Sequence, residues 1–137
     1  MELAPGSDAA KLLGDLEAAS TRFQHGDDSG MRALYADRDD VTLFGALGGC
    51  IRGREGVEQV LAGASRNLSR GGRAHYKIIT VQVEGTLAYA VGTERIEPGA
   101  EGLSDLRVTN VFRKQNGVWR LMHRHADALR DSPFAPR

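Results

Sequence analysis

The chemistry-bearing residues of this chain gather near its end. His123 and His125 stand two apart in a run of alternating apolar and polar residues. Histidine titrates near neutral pH, so such a pair can abstract a proton next to a carbonyl or activate a water. Alternation along a strand puts both imidazoles on one face, about 7 Å apart at Cα. Sharing a metal ion would need a third ligand. Asp127 lies about 13 Å along the strand from His123, so it suits orienting His125 better than completing a site. No metal is therefore expected. Asn110, on the preceding run, can hydrogen-bond a substrate carbonyl or hold an enolate, or fix a histidine tautomer. His123, His125 and Asn110 are the candidate catalytic residues.

Their placement depends on Asn116-Gly117, a dipeptide that tolerates the positive φ of a type I′ turn and lies between two β-prone runs. A two-residue loop sets Gln115 opposite Val118, Phe112 opposite Leu121, Asn110 opposite His123 and Val108 opposite His125. One face then carries Val108, Asn110, Phe112, Trp119, Leu121, His123, His125 and Asp127. The other carries Arg107, Thr109, Val111, Arg113, Arg120, Met122 and Arg124. The Trp119 face is expected to be buried. Its polar end would cost about 1–3 kcal/mol per unpaired group, which predicts that it opens on a ligand-filled or wet pocket. Tyr35, Phe44, Tyr89, Val108, Phe112, Trp119 and Leu121 are the expected substrate-binding wall, aromatic and aliphatic as such walls are. Tyr89 and Glu94 have opposite parity on their strand, and whichever looks inward joins the site. Arg113 opposite Arg120 is unfavourable without intervening carboxylates, which a partner subunit would supply.

The elements that position these residues follow in order. Ser7 caps a helix whose stripe is Leu12, Leu16, Ala19 and Phe23 and which Gly26 stops. Asp27-Asp28-Ser29 opens a short helix with Met31, Leu34 and Tyr35 on one side. Asp37 to Asp40 lead into strand Val41–Phe44, and Gly45, Gly48 and Gly49 turn it into Cys50–Arg52. A third helix follows Gly53, with Val57, Val60, Leu61, Ala64 and Leu68 inward, ended by Gly71-Gly72. Strands at 73–83 and 86–97, a loop at 98–102 and the final hairpin complete an α+β chain. Residues 1–137 read as one domain with an ordered core at about 7–128, long enough to bury about two-thirds of its unfolded surface.

Composition narrows the partners. Eighteen Lys and Arg balance eighteen Asp and Glu, so no overall field favours nucleic acid or an anionic membrane. From residue 101 onward the balance is seven basic against four acidic, a mild excess. A lone cysteine, Cys50, excludes an internal disulfide and suits a reducing compartment. The start has neither a basic nor an apolar segment of a signal peptide, and no apolar run approaches the ~20 residues of a membrane span. A cytoplasmic protein is expected. Gly48-Gly49 matches no phosphate-loop pattern.

The stretches GDDSGMRALYADRDDVTLFG and GVWRLMHRHAD, in that order of elements, resemble the nuclear-transport-factor-2-like superfamily over nearly all of residues 8–128. The chain looks most similar to its SnoaL-like group, whose relatives include polyketide cyclases and ketosteroid isomerase. The resemblance implies a cone-shaped, cystatin-like fold: a curved mixed or antiparallel sheet wrapped over three N-terminal helices. It also implies an internal pocket for a small, mostly apolar molecule, no obligatory cofactor, and a homodimer through the outer sheet face. Cofactor-free isomerase, cyclase or hydratase-type chemistry is the enzymatic expectation. A non-catalytic ligand-binding or dimeric association module is the alternative. Ketosteroid isomerase has a general-base aspartate where Gly45 stands and a first-helix tyrosine near Ala19, which argues against steroid isomerisation here.

Overall fold

The computed structural model describes residues 5–67, 71–98 and 104–136. Helix α1 spans Asp8–Gln24, and the Ser7 hydroxyl accepts the Ala10 N–H at 3.1 Å, closing one of the free amides of the first turn. Helix α2 is Ser29–Leu34, strands β1 and β2 are Thr42–Gly45 and Gly48–Arg52, and helix α3 is Arg54–Arg66. Four long strands follow: β3 (Arg73–Glu84), β4 (Leu87–Glu97), β5 (Asp105–Gln115) and β6 (Val118–Ala128). The expected inward Leu68 and residues 99–102 of the expected loop lie outside the described residues.

The strands form one six-stranded sheet in the order β2-β1-β6-β5-β4-β3. It is mixed, because β1 runs parallel to β6 while every other pair is antiparallel. It does not close: β2 and β3 are its edges. Helix α1 covers part of the β3 edge in a specific way. Glu17 Oε2 accepts the Tyr76 N–H at 2.7 Å, and Thr21 Oγ1 accepts the Ala74 N–H at 3.0 Å. Residues one helical turn apart thus meet edge amides two apart on the strand, leaving those amides unable to recruit another chain.

The main core joins Leu13, Leu16 and Ala19 of α1, Met31, Val57, Leu61 and the inner sheet residues Ile78, Ala88, Ala90, Phe112 and Leu121. The buried line of α1 is Leu13, Leu16, Ser20 and Gln24 with Ala19. Leu12 and Phe23, expected at its centre, are only half-buried beside the core. Two polar side chains therefore look inward from this helix.

The hairpin turn is as expected: Asn116 and Gly117 both have positive φ (52° and 78°), and Gln115 faces Val118 and Phe112 faces Leu121. Beyond that point the register changes. Met122 is an extra residue in β6, so Val111 faces His123, Asn110 faces Arg124 and Val108 faces Ala126. Such a bulge shifts every later side chain to the other face.

Candidate functional site

The bulge decides what the inner face carries. Arg124 and Ala126 point in with Leu106, Val108, Asn110 and Phe112, whereas His123 and His125 point out with Val111 and Thr109. On β4, Ala88, Ala90, Gly92, Glu94 and Ile96 are buried, so Glu94 rather than Tyr89 looks inward. Arg124 and Glu94, on strands separated by β5, meet across the concave face.

Their geometry is specific. Arg124 Nη1 donates to the Tyr76 hydroxyl at 2.7 Å, and Nη2 donates to the Glu94 carboxylate at 3.2 and 3.4 Å. The side chains of the pair are 11% and 2% exposed. The Ser20 hydroxyl lies 3.4 Å from the Tyr76 hydroxyl. Burial alone would lower the guanidinium pKa, but Glu94, Tyr76 and Tyr35 outweigh it and hold Arg124 charged. Burial pushes the Tyr76 and Tyr35 phenols up despite the opposing charge of Arg124. Both therefore stay protonated at neutral pH and can donate.

This group opens on a cavity of about 130 Å³. Its polar wall is Ser20, Gln24, Glu94 and Arg124, and its apolar wall includes Met31, Leu43, Leu61 and Ile96. The β1–β2 turn, from Gly45 to Gly48, forms part of the rim. An apolar pocket with a few convergent polar groups is the usual form of a small-molecule site.

The expected site residues fall elsewhere. His123 is half-buried and His125 exposed on the outer face. The Thr42 hydroxyl and His123 Nδ1 are 2.7 Å apart. Phe44 meets both imidazoles edge-on, with ring centroids 5.0 and 5.4 Å away. The His123 pKa is lowered, first by burial and then by the neighbouring His125, against a hydrogen bond with Thr42. Asp127 is 3.9 Å from His125 Nε2, but its carboxylate is taken by Arg107 at 2.7 and 2.9 Å.

Asn110 is inward and 1% exposed, opposite Arg124 rather than His123, and its Oδ1 has no hydrogen-bond partner among the described residues. None of the seven expected wall residues lines the cavity. Tyr35 is core, with its hydroxyl donating to the Thr42 carbonyl at 3.3 Å. Phe112 and Leu121 are core and Val108 joins a smaller buried cluster. Phe44 and the 42% exposed Tyr89 are on the outer face. Trp119 sits by the start of α1, its Nε1 donating to Asp8 at 3.3 Å. Arg113 and Arg120 do face each other, but Arg120 donates to the Ala33 carbonyl and Asp40 lies within the field of Arg113. The chain's own groups thus ease that repulsion. Among the described residues no cluster of three or more His, Cys, Asp or Glu could hold a metal ion.

A SnoaL-like domain model matches residues 16–129. The chain belongs to the SnoaL-like family. No curated protein matches it in sequence. Among solved structures it is similar to a domain of unknown function with a cystatin-like fold from Nostoc punctiforme, at 16% identity and TM-score 0.73, covering 93% of this chain and 81% of that one. It is also similar to a candidate calcium/calmodulin-dependent protein kinase type II association domain from Thiobacillus denitrificans, at 22% identity and TM-score 0.69, covering 95% and 100%. A candidate ketosteroid isomerase from Shewanella frigidimarina matches at 20% identity and TM-score 0.68, covering 89% and 96%. These likenesses, with the helices and the open six-stranded sheet, place the SnoaL-like chain in the nuclear-transport-factor-2-like, cystatin-like α+β fold. No helix among the described residues is long and apolar enough to cross a membrane.

Proposed function

We propose that this SnoaL-like protein binds a small, mostly apolar molecule in the inner cavity and that Glu94 performs acid/base work on it, with Arg124 and Tyr76 as its partners. The observation that carries this reading is the buried Arg124–Glu94 pair facing a cavity with otherwise largely apolar walls. A buried ion pair is poor value for stability, since well-packed apolar residues of similar size often serve as well or better. Its position beside a void points to use. Arg124 holds the carboxylate through one nitrogen at distances longer than the ~2.7–2.9 Å of a strong charged hydrogen bond, and beside this and the Tyr76 hydroxyl a carboxylate keeps lone pairs for a substrate proton. The Tyr76 hydroxyl accepts from Arg124 and is itself hydrogen-bonded within the cluster to Glu94 and Ser20, which fixes the pair in place. A carboxylate base in a largely apolar cavity suits isomerisation, cyclisation or dehydration without a cofactor. The test is mass spectrometry of small molecules released from the purified protein. A ligand carried by the wild type and missing from Ala64→Phe, which fills the cavity, supports the reading. The same molecule on both proteins sinks it.

A second reading, an association module, draws on the outer sheet face, where Ile79 is 64% and Tyr89 42% exposed and Phe44 is half-buried. One similar structure is named as an association domain. In this reading the outer face joins two copies into a homodimer, with His123 and His125 at the contact, and the exposed thiol of Cys50 suits a cytoplasmic setting. Light scattering on Ile79→Asp/Tyr89→Asp decides it: a monomer where the wild type is a dimer supports association, and an unchanged mass rejects it.

A further inference from the structure

We infer that the cavity admits only uncharged ligands and that Gln24 reads a carbonyl group on them; this rests on the inner cavity being the ligand site. Of the described residues lining the cavity only Glu94 and Arg124 carry charge, and they cancel. Both terminal nitrogens of Arg124 are engaged, one by Tyr76 and one by Glu94. A carboxylate entering here has to share Arg124 with Glu94 and stands beside that second, 2% exposed carboxylate side chain in a poorly screened space. An ammonium meets Arg124 at close range in a poorly screened space. Either ion gives up its hydration and meets a like charge beside each opposite one.

The polar capacity left over defines what is recognised. Glu94 accepts and cannot donate, which suits a ligand hydroxyl. Gln24 is 7% exposed, lines the cavity, and makes no side-chain hydrogen bond among the described residues. Its backbone carbonyl accepts the Gly71 N–H at 3.4 Å. Its side-chain amide is free to pair, and the residue borders the void. It lies one helical turn beyond Ser20, on the wall facing the sheet. A carbonyl oxygen pairs with its NH2 group. An apolar body bearing one hydroxyl and one carbonyl is the complementary class.

Calorimetric titration at neutral pH with three probes tests this: para-hydroxyacetophenone, para-ethylphenol and para-hydroxybenzoate. The ketone binds about fivefold or more tighter than the ethyl compound, as one net hydrogen bond allows, and the carboxylate fails to saturate. Gln24→Leu abolishes the preference, bringing the ketone to the level of the ethyl compound measured on the same variant. Benzoate binding as well as the ketone, an indifferent Gln24→Leu, or no binding by any probe overturns the inference. Ala64→Phe separates the two claims. If it blocks binding while the carboxylate is preferred, the cavity stands and the ligand class falls; if it changes nothing, both fall.

Discussion

Three consecutive residues of one strand live in opposite surroundings. Arg124 looks in, is 9% exposed, and holds a carboxylate and a phenol over a cavity. His123 and His125 flank it and look out, onto Phe44 and Thr42. The outer face also has a tighter-looking ion pair, Arg107–Asp127, with two bonds of 2.7 and 2.9 Å. Shortness is a poor guide to consequence. In water a well-formed pair gains little, because solvent screens it and both side chains lose freedom. In the interior a looser pair is consequential, because neither charge can be left alone.

The largest effect is expected at Arg124. Arg124→Met strands Glu94 and should cost about 3–5 kcal/mol in urea unfolding. Adding Glu94→Leu removes the stranded charge, and the double variant should recover most of that loss or exceed the wild type in stability while losing ligand. A double variant as unstable as the single would mean that Arg124 acts by packing rather than by charge.

A smaller effect should follow pH on the outer face. The folded-state pKa of His123 is lowered from 6.5, so the folded protein takes up that proton less readily than the unfolded chain. Stability is then full above pH 6.5 and falls as pH drops through that value toward the lower folded one. The wild-type melting temperature should decline between pH 7 and 5, and His123→Gln should reduce the decline. An identical pH dependence in the two proteins would remove His123 from that account. The smallest effect belongs to Arg107→Ala, whose melting temperature should match the wild type despite the short bonds lost; a drop of several degrees would contradict the contrast between the faces.

Much of the scaffold was legible in the sequence. Ser7, Gly26 and Gly53 mark helix ends through capping and positive φ, and Asn116-Gly117 fixes the hairpin. The site was not legible, and the reason is one residue. Strand parity is read by counting, and an inserted residue inverts the count from there on. The signal was the adjacent pair Leu121-Met122, two apolar residues where alternation allows one, followed by Ala126 and Ala128 in step with Met122. On β4 the parity of Glu94 is shared by Ala88, Ala90, Gly92 and Ile96, small or apolar, while the other set ends in Arg95 and Glu97. That imbalance pointed Glu94 inward. Ser20 and Gln24 were not legible because an apolar stripe of Leu12, Leu16, Ala19 and Phe23 carries no sign of polar residues on the inner side of a helix that borders a cavity.

The claim that chemistry lies on the concave face is tested most directly by nuclear magnetic resonance with para-hydroxyacetophenone. Titration should shift the Gln24 side-chain amide and the Arg124 guanidinium signals and leave the ring protons of His123 and His125 unmoved. Shifts at the two imidazoles, with Gln24 and Arg124 silent, would put the ligand on the outer face and contradict the account.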